Sequence, residues 1–378
     1  MAKLVDAFCD RQRQQRHDPF KPTTVVVQSF GIGQWLKVRL AEQSGISANV
    51  ECILPAELIW RFYQSLIPAE KLPNESPFAR HLMTWQVMKL LPSATGEQFA
   101  QVQRYLDGDD SQLRLYQLSD AISGLLDQYL IYRPDWINDW EAGKDSPDSP
   151  WQSALWRKLI GETGANSQQH RAYLHQTFIS ATQATDRRPA ALPETIHVFG
   201  LSSLPAIHMQ TLQAVSGFLD VNIYFLNPSE HYWGDIVSEK EEAKHSIRKM
   251  VQSSNSNAGN TKADDESLVD DDYLEIGNPL LASMGKQGRE FFELLLETNG
   301  LATQEAFVLD KSGSQLGQMK NDILNLEMGG VFLQSTDTLP GKLTRQPDDK
   351  SIQIHACHSP MREIEVLHDQ LSNMIDVA

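Results

Sequence analysis

The sequence predicts an α/β protein built on a parallel sheet, with an all-helical region set into it. Three observations lead there: the apolar β-branched run TTVVVQS before a glycine-containing turn and an apolar helix, about a hundred residues of amphipathic helix with little strand signal, and the return of short strands at IHVFG and VNIYFL. A chain that starts α/β, turns helical and comes back to α/β is most simply a sheet domain with a helical insertion.

The elements follow in order. Leu4 to Gln15 has helix-forming composition and is closed off by Pro19 and Pro22, since proline cannot donate a backbone hydrogen bond. Val25, Val26 and Val27 form an unbroken apolar run, the pattern of a strand covered on both faces. Gly31, Ile32 and Gly33 read as a tight turn into a helix that buries Trp35, Leu36, Val38 and Leu40. From about Ser76 to Gln183 the periodicity is helical, with clear amphipathic segments at Phe78 to Leu91 and Leu118 to Ile131. Thr195 to Gly200 is again a strand, LSSLPAIHMQTLQAV its helix and VNIYFL a further strand.

Residues 251–275 combine SSNSNAGN with seven acids against one lysine, a composition that cannot bury a core and suits a solvated linker. Near the end, SIQIHACHS has the period-two pattern of a strand and leads into the helix MREIEVLHDQLSNMI, which reads as the opening of another domain. The expected organisation is a discontinuous sheet domain over 1–75 and 186–350, a helical insertion over 76–185, and the start of a second sheet domain over 351–378.

Composition excludes several classes. Hydrophobic residues make up 41% and charged residues 22% of the 378, so the chain is neither disordered nor fibrous. No apolar run approaches the ~18 residues that cross a bilayer, and the first residues lack the apolar core of a signal peptide, so the expected location is the cytoplasm. Cys9, Cys52 and Cys357 lie far apart without CxxC spacing, which reads as free thiols. A net charge of −16 opposes long-range attraction to nucleic acid, unless a lined groove or a basic partner supplies a local positive field.

Motifs for chemistry are largely missing. There is no GxxxxGK[ST] run, and the glycine turn at Ser29 to Gln34 has no lysine to meet a phosphate, so it is a plain strand-to-helix turn. His355, Cys357, His358 and His368 invite a metal reading, but on a strand His355 and Cys357 share one face while His358 points to the other. Asp109 with Asp110, and Asp270 to Asp272, fall in polar turns and read as solvated charge. No GxSxG or HExxH motif appears, and no catalytic or metal-ligating residue is assigned.

Polar and aromatic groups near the expected strand ends are more informative. Gln28 and Gln34 flank the first turn, and Leu54 and Trp60 sit in ILPAELIW; glutamine bonds base edges and tryptophan offers a stacking face. LLDQYLIYRPDW places Leu125, Asp127 and Gln128 along one side of a helix that ends at Arg133 before Pro134. The plainer reading of these groups is a core tryptophan and a helix-terminal ion pair.

Several strings together resemble one family: VVVQSFGIGQWL, LPAELIWRFY, LLDQYLIYRPDW, HVFGLSSLPAIHMQTLQ, NPSEHYWGDI, GNPLLASMGKQGRE and IHACHSPMREIEVLHDQL look like the amino-terminal part of RecC, the gamma subunit of exodeoxyribonuclease V. The resemblance runs in order across almost the whole chain and lapses in the polar linker. It implies a helicase-like core of the P-loop NTPase type that has lost its ATP-binding residues, in line with the absent phosphate loop. It further implies a RecB motor-nuclease and a RecD motor as partners, and single-stranded and forked double-stranded DNA as ligands. It implies no membrane and no cofactor held by this subunit, ATP and magnesium being used by the partners. The family is implicated in scanning a threaded strand for the recombination hotspot called Chi.

Position by position, the resemblance assigns hotspot reading to Gln28, Gln34, Leu54, Trp60, Leu125, Asp127, Gln128, Arg133 and Arg171. Phe30, a further stacking candidate, stands where relatives have threonine, and Gly124 where they have aspartate, so the sequence read by this chain stays open. The family also starts with a strand ahead of the first helix, and this chain begins after it.

Overall fold

The computed structural model describes all residues except 15–19, 74, 108–109, 147–148, 186–187, 238–274, 299, 328–347 and 378. Two compact units divide the chain: residues 1–226 with 293–301, and residues 227–292 with 302–378.

The first unit is α/β. Helix α1 (Ala2–Gln14) precedes strand β1 (Thr23–Val27), whose five residues are all buried, as an unbroken β-branched run requires. Helix α2 (Phe30–Ser44) follows, then β2 (Val50–Ile53) and α3 (Pro55–Leu66). After the helical stretch come β3 (Thr195–Phe199), α4 (Ala206–Val215) and β4 (Asp220–Tyr224). The four strands form one parallel sheet in the order β2-β1-β3-β4. Val26 pairs with Ile53 on one side and with Val198 on the other, which fixes the register at the centre.

The glycine turn expected at Gly31–Gly33 is already helix. Ser29 caps α2, its hydroxyl accepting from the Ile32 amide at 3.3 Å, so the first helical turn starts at Phe30. Gly33 is there for packing: a Cβ at this position would stand 2.9 Å from the Cys52 Cβ, so only glycine lets α2 lie this close to β2. Leu36 and Leu40 are buried as expected, whereas Val38 points outward and is 47% exposed. On the sheet's α1 side, the Phe8 ring packs against His197, Phe199 and Tyr224 with centroids 4.7, 6.3 and 5.5 Å away.

The helical stretch contains α5 (Arg80–Leu90), α6 (Ala100–Leu106), α7 (Ser111–Tyr132), α8 (Pro134–Glu141), α9 (Pro150–Thr163) and α10 (Arg171–Gln183). Its core holds Met83, Val87, Phe99, Leu126, Ile137 and Trp156. No strand occurs among its described residues.

The second unit is smaller in regular structure. Strand β5 (Ile236–Val237) pairs in parallel with β6 (Glu275–Ile276). Asn278 caps α11 (Pro279–Met284) by accepting from the amides of Leu280 and Leu281, and its amide donates to the Glu327 carbonyl at 2.9 Å. Trp233 is buried and stacked on Phe292 with centroids 5.3 Å apart. Helix α12 (Lys286–Leu296) begins in this unit, its last four residues being counted with the first, and α13 (Gln315–Leu324) and α14 (Pro360–Val377) follow.

One expected strand is not formed. Residues 351–359 make no ladder, and Ile354 is 92% exposed. A period-two pattern becomes a strand only beside a partner edge, and none lies next to it among the described residues. The polar linker expected at 251–275 falls almost wholly outside the described residues.

Candidate nucleic-acid interface

In an open parallel sheet, ligands meet the carboxyl ends of the strands where the strand order reverses. Here chain order runs from β1 outward to β2 and then returns to β3 on the other side, so the reversal lies between β1 and β3. Gln28 follows β1 directly and is exposed; its Oε1 accepts from the Ser202 hydroxyl, just past β3, at 3.4 Å. Phe30 opens α2 at 67% exposure, and Gln34 lies one turn later on the same helix flank. Leu54, at the end of β2, is the residue on which α3 begins. The structure thus gathers Gln28, Phe30, Gln34 and Leu54 along one sheet edge.

A second group is tied to the first through α3. Trp60 is half-buried on that helix, its ring centroid 6.5 Å from that of Tyr63. Tyr63 packs on Phe178 of α10, with centroids 5.1 Å apart, and its hydroxyl stands 3.3 Å from His175 Nδ1. His175 Nε2 lies 3.0 Å from Gln210 Oε1, which can only accept, so the ring carries its proton on Nε2 and Tyr63 donates to Nδ1. Burial holds the His175 ring below its ordinary pKa, with the Gln210 hydrogen bond opposing, and burial pushes the Tyr63 phenol well up. His208, in the first turn of α4, is pulled down to about 4 by burial and then by the nearby Arg171 guanidinium, with a further contribution from His175 wherever that ring is protonated. Tyr63 and His175 thus form a buried, neutral polar cluster.

Helix α10 starts at Arg171, whose guanidinium reaches Asp127 on α7 at 3.2 Å with both side chains partly exposed. The start of α10 is fixed from below. The His170 side chain is fully buried, its Nδ1 accepts from the Tyr173 amide at 3.2 Å, and its Nε2 lies 3.0 Å from Glu141, which also accepts from Trp156 Nε1 at 3.0 Å. A buried, capped helix start is a rigid base for the long arginine that follows.

The expectation that Leu125, Asp127 and Gln128 share one side is corrected. At about 100° per residue, two steps carry Asp127 some 200° from Leu125. Burial of Leu126 and Leu130 puts the α7 core face between Leu125 and Asp127, which stand on opposite flanks, while Gln128 is exposed on the outer face, one turn from Leu125. Arg133 stands where α7 breaks before Pro134, its guanidinium 5.1 Å from the Trp136 ring. From Asp127 it is six residues on, about 9 Å along the axis. Arg133 and Leu125 are therefore set apart from the Asp127–Arg171 pair.

Sequence reasoning missed Ser202, Tyr63, His175 and His208. The last three come from helices distant in sequence, and only tertiary packing brings them together. It also missed the Arg80–Asp120 ion pair at 2.8 Å. The repeat Asp120, Gly124, Gln128 at four-residue spacing was its available signal.

Cys9, Cys52 and Cys357 are free; Cys9 is buried and the other two are partly exposed. Among the described residues, no three His, Cys, Asp or Glu side chains converge as metal ligands, and no helix is long and apolar enough to cross a membrane.

Comparison with known proteins follows this geometry. A family model described as RecC, N-terminal domain, matches residues 1–326. The RecBCD enzyme subunit RecC of Escherichia coli K12 is 36% identical over 379 residues, covering 97% of this chain and 34% of that protein. The subunit of the same name from Haemophilus influenzae is 34% identical over 399 residues, covering 95% and 34%. That of Mycolicibacterium smegmatis is 25% identical over 383 residues, covering 98% and 30%. The chain spans about a third of the length of these relatives. With a family model matched over most of its residues, the chain belongs to the RecC N-terminal domain family.

Proposed function

We propose that this chain is a DNA-binding, non-catalytic part of a RecBCD-type helicase-nuclease, which guides a single strand and reads the Chi hotspot during double-strand break repair and recombination. The strand would be drawn by RecB, with RecD as the second motor, and would enter from a forked duplex. The sheet would be a helicase-like core without nucleotide chemistry, 76–185 its inserted helical domain, and ATP and magnesium would act only on the partner subunits. A cytoplasmic setting goes with that role.

One observation carries the reading: Trp60 leads through Tyr63 and His175 to α10, whose first residue Arg171 is paired with Asp127, so base-reading candidates far apart in sequence join one packed array. Mechanistically the role is passive. Amide and carboxylate groups bond passing base edges, with Trp60 or Phe30 stacking on them, and each bidentate base contact is worth about 1–3 kcal/mol, so a few suffice to hold a moving strand. A held strand changes which end the nuclease reaches.

A scaffold that merely positions RecB and RecD is the second reading, favoured by the net charge of −16 and by the mutual neutralisation of Asp127 and Arg171. Photo-crosslinking of a threaded strand in the assembled enzyme separates the two. Adducts on Trp60 are expected; a strand that passes through without touching α3, α7 or α10 leaves only the scaffold.

A further inference from the structure

The outer flank of α7 holds more than the groups named so far. Tyr116, Asp120 and Gly124 recur every four residues, Asp127 and Gln128 follow Gly124 at three and four, and together they form one stripe along the helix. Arg80 of α5 reaches Asp120 at 2.8 Å, and its guanidinium carbon lies 3.5 Å from where a Cβ on Gly124 would stand. Together with Asp127–Arg171, this gives two acid–guanidinium pairs two helical turns apart, one on either side of the glycine. One turn beyond Asp120, the Tyr116 ring lies 6.0 Å from the ring of Trp85 on α5, tilted by 43°. Trp85 is 62% exposed and Tyr116 44%. Two large rings left in solvent side by side forgo the burial that such side chains normally gain.

We propose that Trp85 and Tyr116 form a further stacking station for single-stranded nucleic acid, and that Arg80 and Asp120 contact base edges between it and the Asp127–Arg171 pair. The inference rests on the strand-guiding reading above and lengthens its track. From Tyr116 to Asp127 is eleven residues, about 16 Å, which spans some four to five bases at the ~3.4 Å rise of a stacked strand. Trp, Tyr and Arg are also favoured at protein interfaces, so the choice of nucleic acid is carried by continuity: the ring pair stands at one end of the same α7 flank as the Arg80–Asp120 and Asp127–Arg171 pairs. Arginine matches the guanine edge and aspartate the amino group of cytosine, while a ring accepts any base.

The test is the equilibrium affinity of the assembled enzyme for oligodeoxythymidylate, by fluorescence anisotropy at fixed salt. Trp85→Ala with Tyr116→Ala is expected to weaken binding about tenfold, and Trp85→Phe to stay within about twofold, because stacking needs a ring and not an indole. Both positions are exposed, so the substitutions leave the core intact. If the double substitution binds like the unaltered enzyme while Trp60→Ala binds weakly, this inference fails and the strand-guiding reading stands. If neither weakens binding, both fail. Loss of subunit assembly in place of lost binding would make the patch a protein contact and overturn the inference.

Discussion

The sheet edge and the α7 flank offer polar groups to a ligand in opposite ways. At the sheet edge, Gln28 and Gln34 are exposed amides, Gln28 accepting one long hydrogen bond from Ser202, and their positions are set by the end of β1 and the first turns of α2. On α7, Asp127 and Asp120 are each occupied by a guanidinium, and side chains from other helices set their positions. An amide keeps two N–H donors and a spare lone pair for a base edge even where, as at Gln28, its oxygen already accepts one bond, whereas an ion pair must exchange its partner for the base. On the proposed strand-guiding reading, the strand ends would supply adaptable contact and the helix discrimination, since a base that does not replace the lost partner leaves a charge unpaired.

That contrast can be broken or sharpened in graded steps. The largest effect is expected from Trp156→Ala, which empties the fully buried site beneath His170 and should cost about 3–5 kcal/mol of stability in denaturant unfolding. Loosening α10 in this way should also unsettle Arg171 while leaving Gln28 in place, so hotspot response should fall further than bulk strand binding. Next, Trp60→Ala should weaken single-strand binding by about 1–3 kcal/mol, or roughly 5- to 150-fold, with little change in unfolding.

A pH effect comes third. His208 is held at about 4, below the ~6.5 of an unfolded histidine, so the folded state binds fewer protons between these values. Its contribution to stability is full above about 6.5 and declines as pH falls toward 4, and the lowered His175 adds in the same direction. His208→Gln should therefore flatten the loss of stability over that window, as read by thermal unfolding at stepped pH; an unchanged slope would remove His208 from the account. Smallest of all, Asp127→Asn should shift stability by less than about 1 kcal/mol, because its ion pair is partly exposed. A larger shift would mark the pair as structural and favour the scaffold.

Much of the sheet was legible because unbroken β-branched runs report burial directly: TTVVV and IHVF became β1 and β3 almost to the residue. The terminal run SIQIHACHS shows the limit of that signal, since a pattern records which faces differ and not whether a neighbouring edge exists. At the site, strand-end residues could be placed from the run they terminate. Residues of α7 could be placed only by angle, where the sequence reading grouped Leu125 with Asp127 although the core face separates them. The Tyr63, His175 and His208 cluster left no local trace, because each comes from a different helix and only tertiary packing makes it a cluster.

The central claim is that bases are read on the α7 and α10 side of the array. A combined unwinding and cutting assay of the assembled enzyme carrying Asp127→Ala or Arg133→Ala tests it most directly. The account predicts unwinding at the normal rate with the hotspot response abolished; a hotspot response equal to that of the unaltered enzyme would contradict it.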